Sequence, residues 1–405
     1  MKKSIFLFGC FILIWGNVFS QGYWTAKANV INGDRCNAAS FSVGTKGYIC
    51  CGVTTVHTKD LLEYDPSTNT WTQKADFPGI VRRNAISFTI NNKAYVGLGS
   101  DGGPSYTYYY DFYEYDPATN TWTQKASFPG PGRAYAHHFT VSGKAYVGGG
   151  TNGTNLNDLW EYNPVADTWT QKNNPPYPAR NGALAFALKE KGYVGTGQIA
   201  GPTNTNDFWE YNPGTDTWTQ RANLPGGVRN HALGFAITEH GYVISGYNLG
   251  AFMNDFWEYN ILTDTWTQLQ NLTGVPRSDA TGFGLGEKVY IGTGWDGNTS
   301  TSYLNDFWEY TPAASSGVEE QRNEMDFNII QNPANDFIRI SFNKPVGSKI
   351  DAKVYNSIGE KVYESMNYNV QELLKINISN WNDGVYFIGI TINNKTSTQK
   401  FVKIN

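Results

Sequence analysis

The chain has 405 residues and a formal net charge of −4, and 15% of its residues are aromatic. Its length allows two or more domains, and its 43 glycines indicate many short strands joined by tight turns. No basic run follows Lys2-Lys3, so nothing would attract a phosphate backbone, and nucleic acid is excluded as an expected partner.

The first 20 residues are typical of a secretory signal peptide. Two lysines precede an apolar stretch from Ile5 to Trp15, and small or polar residues follow up to Ser20. We expect residues 1–20 to be removed on export. Elsewhere no stretch reaches the ~20 apolar residues that a membrane helix needs, so no transmembrane helix is expected.

Three cysteines follow the signal peptide, at Cys36, Cys50 and Cys51. An odd number in an exported chain leaves at least one thiol free or paired with another molecule. The alternative is that all three are small apolar residues of the first repeat, and the sequence does not define their pairing.

From residue 21 to residue 312 one pattern recurs six times, with Arg, Phe, Tyr, Gly, Asp-x-x-Glu-Tyr and Trp at similar spacing. The repeated tryptophans are Trp24, Trp71, Trp122, Trp169, Trp218 and Trp266. Their mean period of about 48 residues is typical of a β-propeller blade. Turn residues between the Phe and the Tyr predict a hairpin, the Glu-Tyr segment a third strand, and the Trp segment a fourth.

The repeats resemble the kelch family of β-propellers over about residues 22–312, although the family's Gly-Gly pair is complete only at Gly149-Gly150. We therefore predict an all-β protein, a six-bladed kelch-type β-propeller followed by a small β-sandwich. The chain begins with a lone fourth strand around Trp24 and ends the repeats with three strands, from Arg277 to Tyr310. The first strand is expected to complete the sixth blade and close the ring.

After the repeats, residues 313–325 are small, polar and acidic, which predicts a linker. Residues 326–405 carry Asn332-Pro333, the segment from Val354 to Asn356, and Asp383-Gly384 before a final alternating strand. In this order they resemble the C-terminal sorting domain of type IX secretion substrates. The resemblance implies recognition by that secretion machinery, passage through the periplasm, and a secreted or outer-surface location. An ordinary binding sandwich is the alternative.

The loops between second and third strands vary, whereas the other turns repeat, so the variable face is the expected binding face. It also receives one arginine from each repeat: Arg35, Arg82, Arg133, Arg180, Arg229 and Arg277. Such a ring would favour an anion, and Tyr109 and Trp295 on the loops could stack on sugar rings. The alternative is structural pairing of each arginine with the repeated glutamate.

Residues two positions after those arginines do not repeat: Asn37, Asn84, Tyr135, Gly182, His231 and Asp279. Residues that differ while the surrounding repeat is constant are typical of positions that contact a ligand. His231, with Tyr135 and Asp279, could act as acid or base near neutrality. The alternative is a polar channel residue without a catalytic role.

The expected function is a secreted or surface binding module that engages a glycan or another extracellular protein. An alternative is an enzyme, because some six-bladed kelch proteins are sugar-acid (sialic-acid-like) mutarotases. We predict neither a cofactor nor a metal, since the histidines show no metal-ligand spacing.

Overall fold

The computed structural model describes residues 22–103, 105–312, 327–330, 334–342, 349–357, 359–369, 373–392 and 395–404. The predicted signal peptide and linker lie outside these residues. The described chain folds as two compact units, one over residues 22–312 and one over residues 327–404. Within the described residues, no helix has the length and apolarity to cross a bilayer.

The first unit consists of six four-stranded antiparallel sheets, numbered here as blades 1 to 6 in chain order. The innermost strands are Ala39–Val43, Ile86–Ile90, His137–Val141, Leu184–Leu188, Leu233–Ile237 and Thr281–Leu285. The second strands are Lys46–Cys50, Lys93–Gly97, Lys144–Gly148, Lys191–Gly195, His240–Ile244 and Lys288–Gly292. The third strands are Leu61–Asp65, Phe112–Asp116, Leu159–Asn163, Phe208–Asn212, Phe256–Asn260 and Phe307–Thr311. The outermost strands are Thr70–Lys74, Thr121–Lys125, Thr168–Lys172, Thr217–Arg221, Thr265–Gln268 and, for blade 6, Tyr23–Lys27.

Each innermost strand contacts the innermost strands of the two neighbouring blades, so the six sheets form a closed ring. The apolar core lies between the sheets, where the repeated aromatic residues pack. In blade 2, for example, Phe88 stacks on Tyr95 with ring centroids 5.2 Å apart, and Tyr95 packs edge-on against Tyr162 of blade 3. Such aromatic pairs bury large apolar areas and stabilise the interface between blades.

The N-terminal strand completes blade 6, as the tryptophan pattern predicted. Strand Tyr23–Lys27 pairs antiparallel with Phe307–Thr311, and Trp24 lies opposite Tyr310. The Trp24 indole is buried, packs on Phe256 of blade 5, and donates a hydrogen bond to the Gln270 carbonyl at 3.0 Å. Both ends of the propeller are therefore held in one sheet, which removes two exposed edges.

Equivalent hydrogen bonds from the other repeated tryptophans join each remaining pair of neighbouring blades. Trp71, Trp122, Trp169, Trp218 and Trp266 each donate to a carbonyl just beyond the preceding outermost strand, at 2.8 to 3.3 Å. In the first of these, the acceptor is Ala28, which follows the N-terminal strand. The repeated tryptophan thus both fills the core and fastens each blade to the next.

The second unit is a β-sandwich. Its smaller sheet contains Phe327–Ile329, Phe337–Phe342 and Leu373–Asn377, and its larger sheet contains Lys361–Asn369, Lys349–Asn356, Gly384–Ile392 and Lys395–Lys403. Alternating apolar residues of both sheets, among them Ile338, Ile340, Val354, Ile388 and Phe401, share one buried core.

Candidate functional site

The face that carries the variable loops also carries the segments that lead into the innermost strands. In blade 2 the backbone of Arg83 pairs with Ser100, at the start of the loop between the second and third strands. Equivalent bridges join Ala134 to Thr151 in blade 3 and Ser278 to Trp295 in blade 6. We call this surface the loop face.

The six repeated arginines lie beneath the loop face, and their guanidinium groups are buried. Each is bonded to both carboxylate oxygens of an aspartate in its own blade, with nitrogen–oxygen distances of 2.5 to 3.0 Å. The pairs are Arg35–Asp60, Arg82–Asp111, Arg133–Asp158, Arg180–Asp207, Arg229–Asp255 and Arg277–Asp306. One guanidinium nitrogen also donates to the carbonyl that follows the second strand, as Arg133 does to Gly149 at 2.9 Å.

This geometry corrects two expectations. The arginines do not pair with the repeated glutamates, which accept hydrogen bonds from the second-strand tyrosines instead, as Glu63 does from Tyr48 at 2.6 Å. Nor do they present a cationic ring to a ligand, because their carboxylate partners neutralise the charge and occupy the bidentate donors. We therefore assign Arg82, Arg133, Arg180, Arg229 and Arg277 a structural role.

The two aromatic residues predicted to stack on sugar rings, Tyr109 and Trp295, also make contacts within the protein. The Tyr109 ring covers the Arg82 guanidinium, 4.4 Å from its carbon. Trp295 is half-buried, packs edge-on against Phe252 at 5.2 Å, and donates its indole hydrogen to the Thr299 carbonyl. Both residues shape the loops of this face, and neither lines the pocket at its centre.

That pocket lies where the six innermost strands begin, and its volume is about 140 Å³. Its lining includes all six non-repeating positions, namely Asn37, Asn84, Tyr135, Gly182, His231 and Asp279. Every one has a positive φ between 53° and 61°. The blades therefore share one left-handed backbone kink, at which residues of different chemistry are displayed in a circle.

His231, Asp279 and Tyr135 meet in this pocket. His231 Nδ1 lies 3.1 Å from a carboxylate oxygen of Asp279, and the Tyr135 ring packs edge-on against the imidazole at 4.6 Å. Asn37 donates to the same Asp279 oxygen at 2.5 Å, and Ser278 donates to the other at 2.8 Å. Burial alone would raise the pKa of Asp279, but the contacts with His231, Ser278 and Asn37 lower it, so the carboxylate is ionised at neutral pH.

Asn84, which the sequence indicated only by its position after the repeated arginine, also lines the pocket. Asn84 is nine-tenths buried, and its amide oxygen has no hydrogen-bond partner among the described residues. Because an unpaired buried polar atom is costly, the Asn84 oxygen is a ready acceptor for a ligand hydroxyl or amide. His138 lines the pocket as well, and burial lowers its pKa to about 4, so this imidazole is neutral.

A shallow groove lies on the same face between blades 3 and 4, with a volume of about 480 Å³. The amide side chains of Asn155, Asn181 and Gln198 border this groove. Asn181 donates a hydrogen bond to Asn155, which in turn donates to the backbone carbonyls of Gln198 and Ile199. The loop face thus offers a small central pocket and a larger groove that combines amide and apolar side chains.

Comparison with known proteins addresses both units. Residues 132–176, in blade 3, match the Kelch motif, and residues 328–405 match the secretion system C-terminal sorting domain. The chain combines a kelch β-propeller with a sorting domain. Its all-β propeller fold is confirmed by a solved chain titled "Structure of YjhT", which matches with a TM-score of 0.59 and 17% identity, over 68% of this chain and 94% of that one. No curated protein matches the chain significantly.

The sorting domain indicates export to a secreted or outer-surface location and interaction with the type IX secretion machinery. An identity of 17% establishes only the fold, so the ligand must be argued from the loop face of this chain.

Proposed function

We propose that the kelch propeller is an extracellular binding module, and that it engages a glycan or another extracellular protein through the loop face. The observation that carries the proposal is the central pocket, where six structurally equivalent positions hold five different residue types. Packing alone would allow one residue type to repeat there, as it does at the buried arginines and tryptophans.

A glycan suits this pocket better than an apolar ligand. Asn84, His231 and Asp279 supply hydrogen-bonding groups, and Tyr135 supplies an aromatic edge and a hydroxyl. The pocket is smaller than the roughly 300 Å³ at which sites for drug-sized ligands begin, so it fits one sugar unit or one side chain of a larger partner. The neighbouring groove adds the amide side chains of Asn155, Asn181 and Gln198 toward blade 4, where further sugar units could bind.

The experiment is a glycan array probed with the purified exported chain, followed by affinity measurements on each positive saccharide. Asn tolerates the kinked backbone, so His231→Asn exchanges the imidazole for a shorter amide there, and Tyr135→Phe removes the hydroxyl. We expect each to weaken binding by about tenfold. Lys189→Ala, on a turn of the opposite face, is the control and should bind normally. Saccharide binding that both pocket variants leave unchanged would contradict the proposed site.

The second candidate is a sugar-acid mutarotase, which the contact between His231 and Asp279 favours. An imidazole oriented by a carboxylate can accept a proton from a sugar hydroxyl and return it. The purified chain would then accelerate mutarotation of an acidic sugar, and His231→Asn would abolish the acceleration. Binding without acceleration leaves the module a lectin-like protein, and the enzymatic candidate fails.

A further inference from the structure

Arg83 differs from the other arginines of the propeller. Among the described propeller residues, each other arginine forms an ion pair with an aspartate or glutamate, and Arg83 alone does not. It follows the buried Arg82 and precedes Asn84, so its backbone lies at the rim of the central pocket. The equivalent positions of the other blades hold Cys36, Ala134, Asn181, Asn230 and Ser278, and none of these is charged.

The Arg83 side chain has hydrogen-bonding capacity that the protein does not use. One terminal nitrogen donates to the Tyr106 hydroxyl at 3.1 Å, and the guanidinium carbon lies 5.7 Å from the centre of the Tyr106 ring. Its Nε is buried and has no acceptor among the described residues. A guanidinium prefers two parallel bonds to one carboxylate, and a single phenol oxygen does not provide that arrangement.

A second unpartnered group lies beside it. His57 Nε2 is also buried without a hydrogen-bond partner, and a Cβ atom added to Gly102 would lie 2.7 Å from both His57 Nε2 and Arg83 Nε. The two nitrogens therefore approach the same point beneath the loop of blade 2. Burial and the charge of Arg83 lower the pKa of His57, which keeps this imidazole neutral and leaves Arg83 as the cation of the cluster.

Arg83 is also electrostatically coupled to the central pocket. Burial and the Asp279 carboxylate raise the pKa of Tyr135, whereas the positive charge of Arg83 lowers it. The same two opposed charges act on Tyr303, on the loop of blade 6. A cation on the blade 2 side and an anion on the blade 6 side thus flank the pocket, and a ligand with one negative group would be oriented by both.

We propose that Arg83 is the anchor for a carboxylate carried by an acidic saccharide, with the sugar ring in the central pocket beside Asn84 and Tyr135. This assignment rests on the proposed glycan-binding function and adds the class of glycan. A carboxylate can accept two hydrogen bonds from the terminal nitrogens of Arg83, and the exchange of water for a charged partner gives a strong, oriented contact. Asp279 lies across the pocket and disfavours the reversed orientation of the ligand.

The test compares a uronic-acid oligosaccharide with the same oligosaccharide after complete methyl esterification, which removes the negative charges and keeps the sugar rings. We expect the chain to bind the acidic form about tenfold more tightly at low salt, and added salt to reduce the difference. Arg83→Gln should abolish the preference, and Arg83→Lys should restore part of it. Lys189→Ala removes one charge from the opposite face and should preserve the preference.

Equal binding of the two oligosaccharides by the unmodified chain would overturn the Arg83 anchor and leave the glycan-binding function intact. Failure to bind either one, together with a blank glycan array, would overturn both. A glutamate-rich peptide is a third probe, and tighter binding of the peptide than of the acidic oligosaccharide would contradict a saccharide as the source of the carboxylate.

Discussion

The buried arginine–aspartate pairs are the most repeated polar contacts of the propeller, and their geometry explains why the arginine recurs in each blade. The guanidinium bridges the end of the second strand and the start of the third strand, where the variable loop leaves and rejoins the sheet. Each pair therefore closes the base of one loop. This arrangement allows the loop above to change without disturbing the blade.

Removal of one such arginine should be strongly destabilising. Arg133→Met leaves the Asp158 carboxylate, which is only 18% exposed, without its partner, and we expect a loss of about 3 kcal/mol in the free energy of unfolding. Lys189→Met is the control, because both partners of the Lys189–Glu239 pair are exposed, at 50% and 64%, and its loss should cost less than about 1 kcal/mol. Denaturant titration of both variants measures the difference.

The double variant Arg133→Met with Asp158→Leu separates charge from packing. Replacing both partners of a buried ion pair by apolar residues is often tolerated, so most of the stability should return. If the double variant is as unstable as Arg133→Met, the loss comes from packing and the ion-pair explanation is wrong.

His137 provides a pH-dependent prediction. Its imidazole is 2% exposed, neither ring nitrogen has a partner among the described residues, and burial together with the Arg180 charge lowers its pKa from 6.5 to about 3. The unfolded chain therefore binds a proton that the folded chain does not, and stability is lost as the pH falls below about 6.5. His137→Leu should remove up to about 1.4 kcal/mol per pH unit of this dependence between neutrality and acid.

Thermal or denaturant unfolding at several pH values measures that slope. The buried Phe139, two residues further along the same strand, supplies the control Phe139→Leu, which should lower stability at every pH and leave the slope unchanged. An unchanged slope in His137→Leu would show that His137 is not the group that takes up the proton.

The ion pairs also show where sequence reasoning stopped. Arginine, aspartate and glutamate all recur once in each repeat, so spacing alone could not select the partner. The strand register decides it, because Glu63 lies mid-strand opposite Tyr48, whereas Asp60 precedes the strand on the loop face. Arg83 was missed for a different reason, because its only sequence signal is a second arginine directly after the repeated one, and this occurs in a single blade.

Among the elements, the N-terminal strand has the largest structural consequence. It contributes the outermost strand of blade 6, and Lys27 adds an ion pair to Glu309 of the neighbouring strand at 3.3 Å. Gly22 lies directly against Tyr310, where any Cβ would collide with the tyrosine hydroxyl. The ring is therefore closed by a strand of only five residues and its single buried tryptophan.

Trp24→Ala should destabilise the whole propeller by about 3 to 5 kcal/mol, because it leaves a cavity beside Phe256 and Tyr310 and breaks the bond to the Gln270 carbonyl. Tyr23→Ala, at an adjacent residue that is 57% exposed, is the control. Thermal unfolding and light scattering measure stability and mass. A Trp24→Ala protein that melts like the Tyr23→Ala control would mean that the strand does not close the ring.

The strands were predictable because each repeat combines a hairpin signal with aromatic residues at constant spacing. The small hairpin Tyr247–Asn248 and Ala251–Phe252 within the blade 5 loop was not predicted. Its turn is Leu249-Gly250, and both residues have positive φ. Leucine at the first of these positions gives no Asn-Gly or Asp-Gly signal, so only the folded loop shows the turn.

For the molecule as a whole, the two units have separate tasks, because the propeller presents the loop face and the sorting domain directs export. Deletion of residues 326–405 should leave the propeller in the periplasm, since the export machinery would no longer recognise the chain. Cell fractionation with an antibody against the propeller measures this. Undiminished release of the truncated chain would contradict both the predicted route and the role of the tail.

The central claim is that ligands bind at the loop face, in the pocket where the innermost strands begin. Hydrogen–deuterium exchange of the chain, with and without a saccharide selected from the array, tests it most directly. We predict increased protection around Asn84, Tyr135, His231 and the loops above them, and no change at the hairpin turns of the opposite face. Protection confined to those turns, or to the sorting domain, would contradict the account.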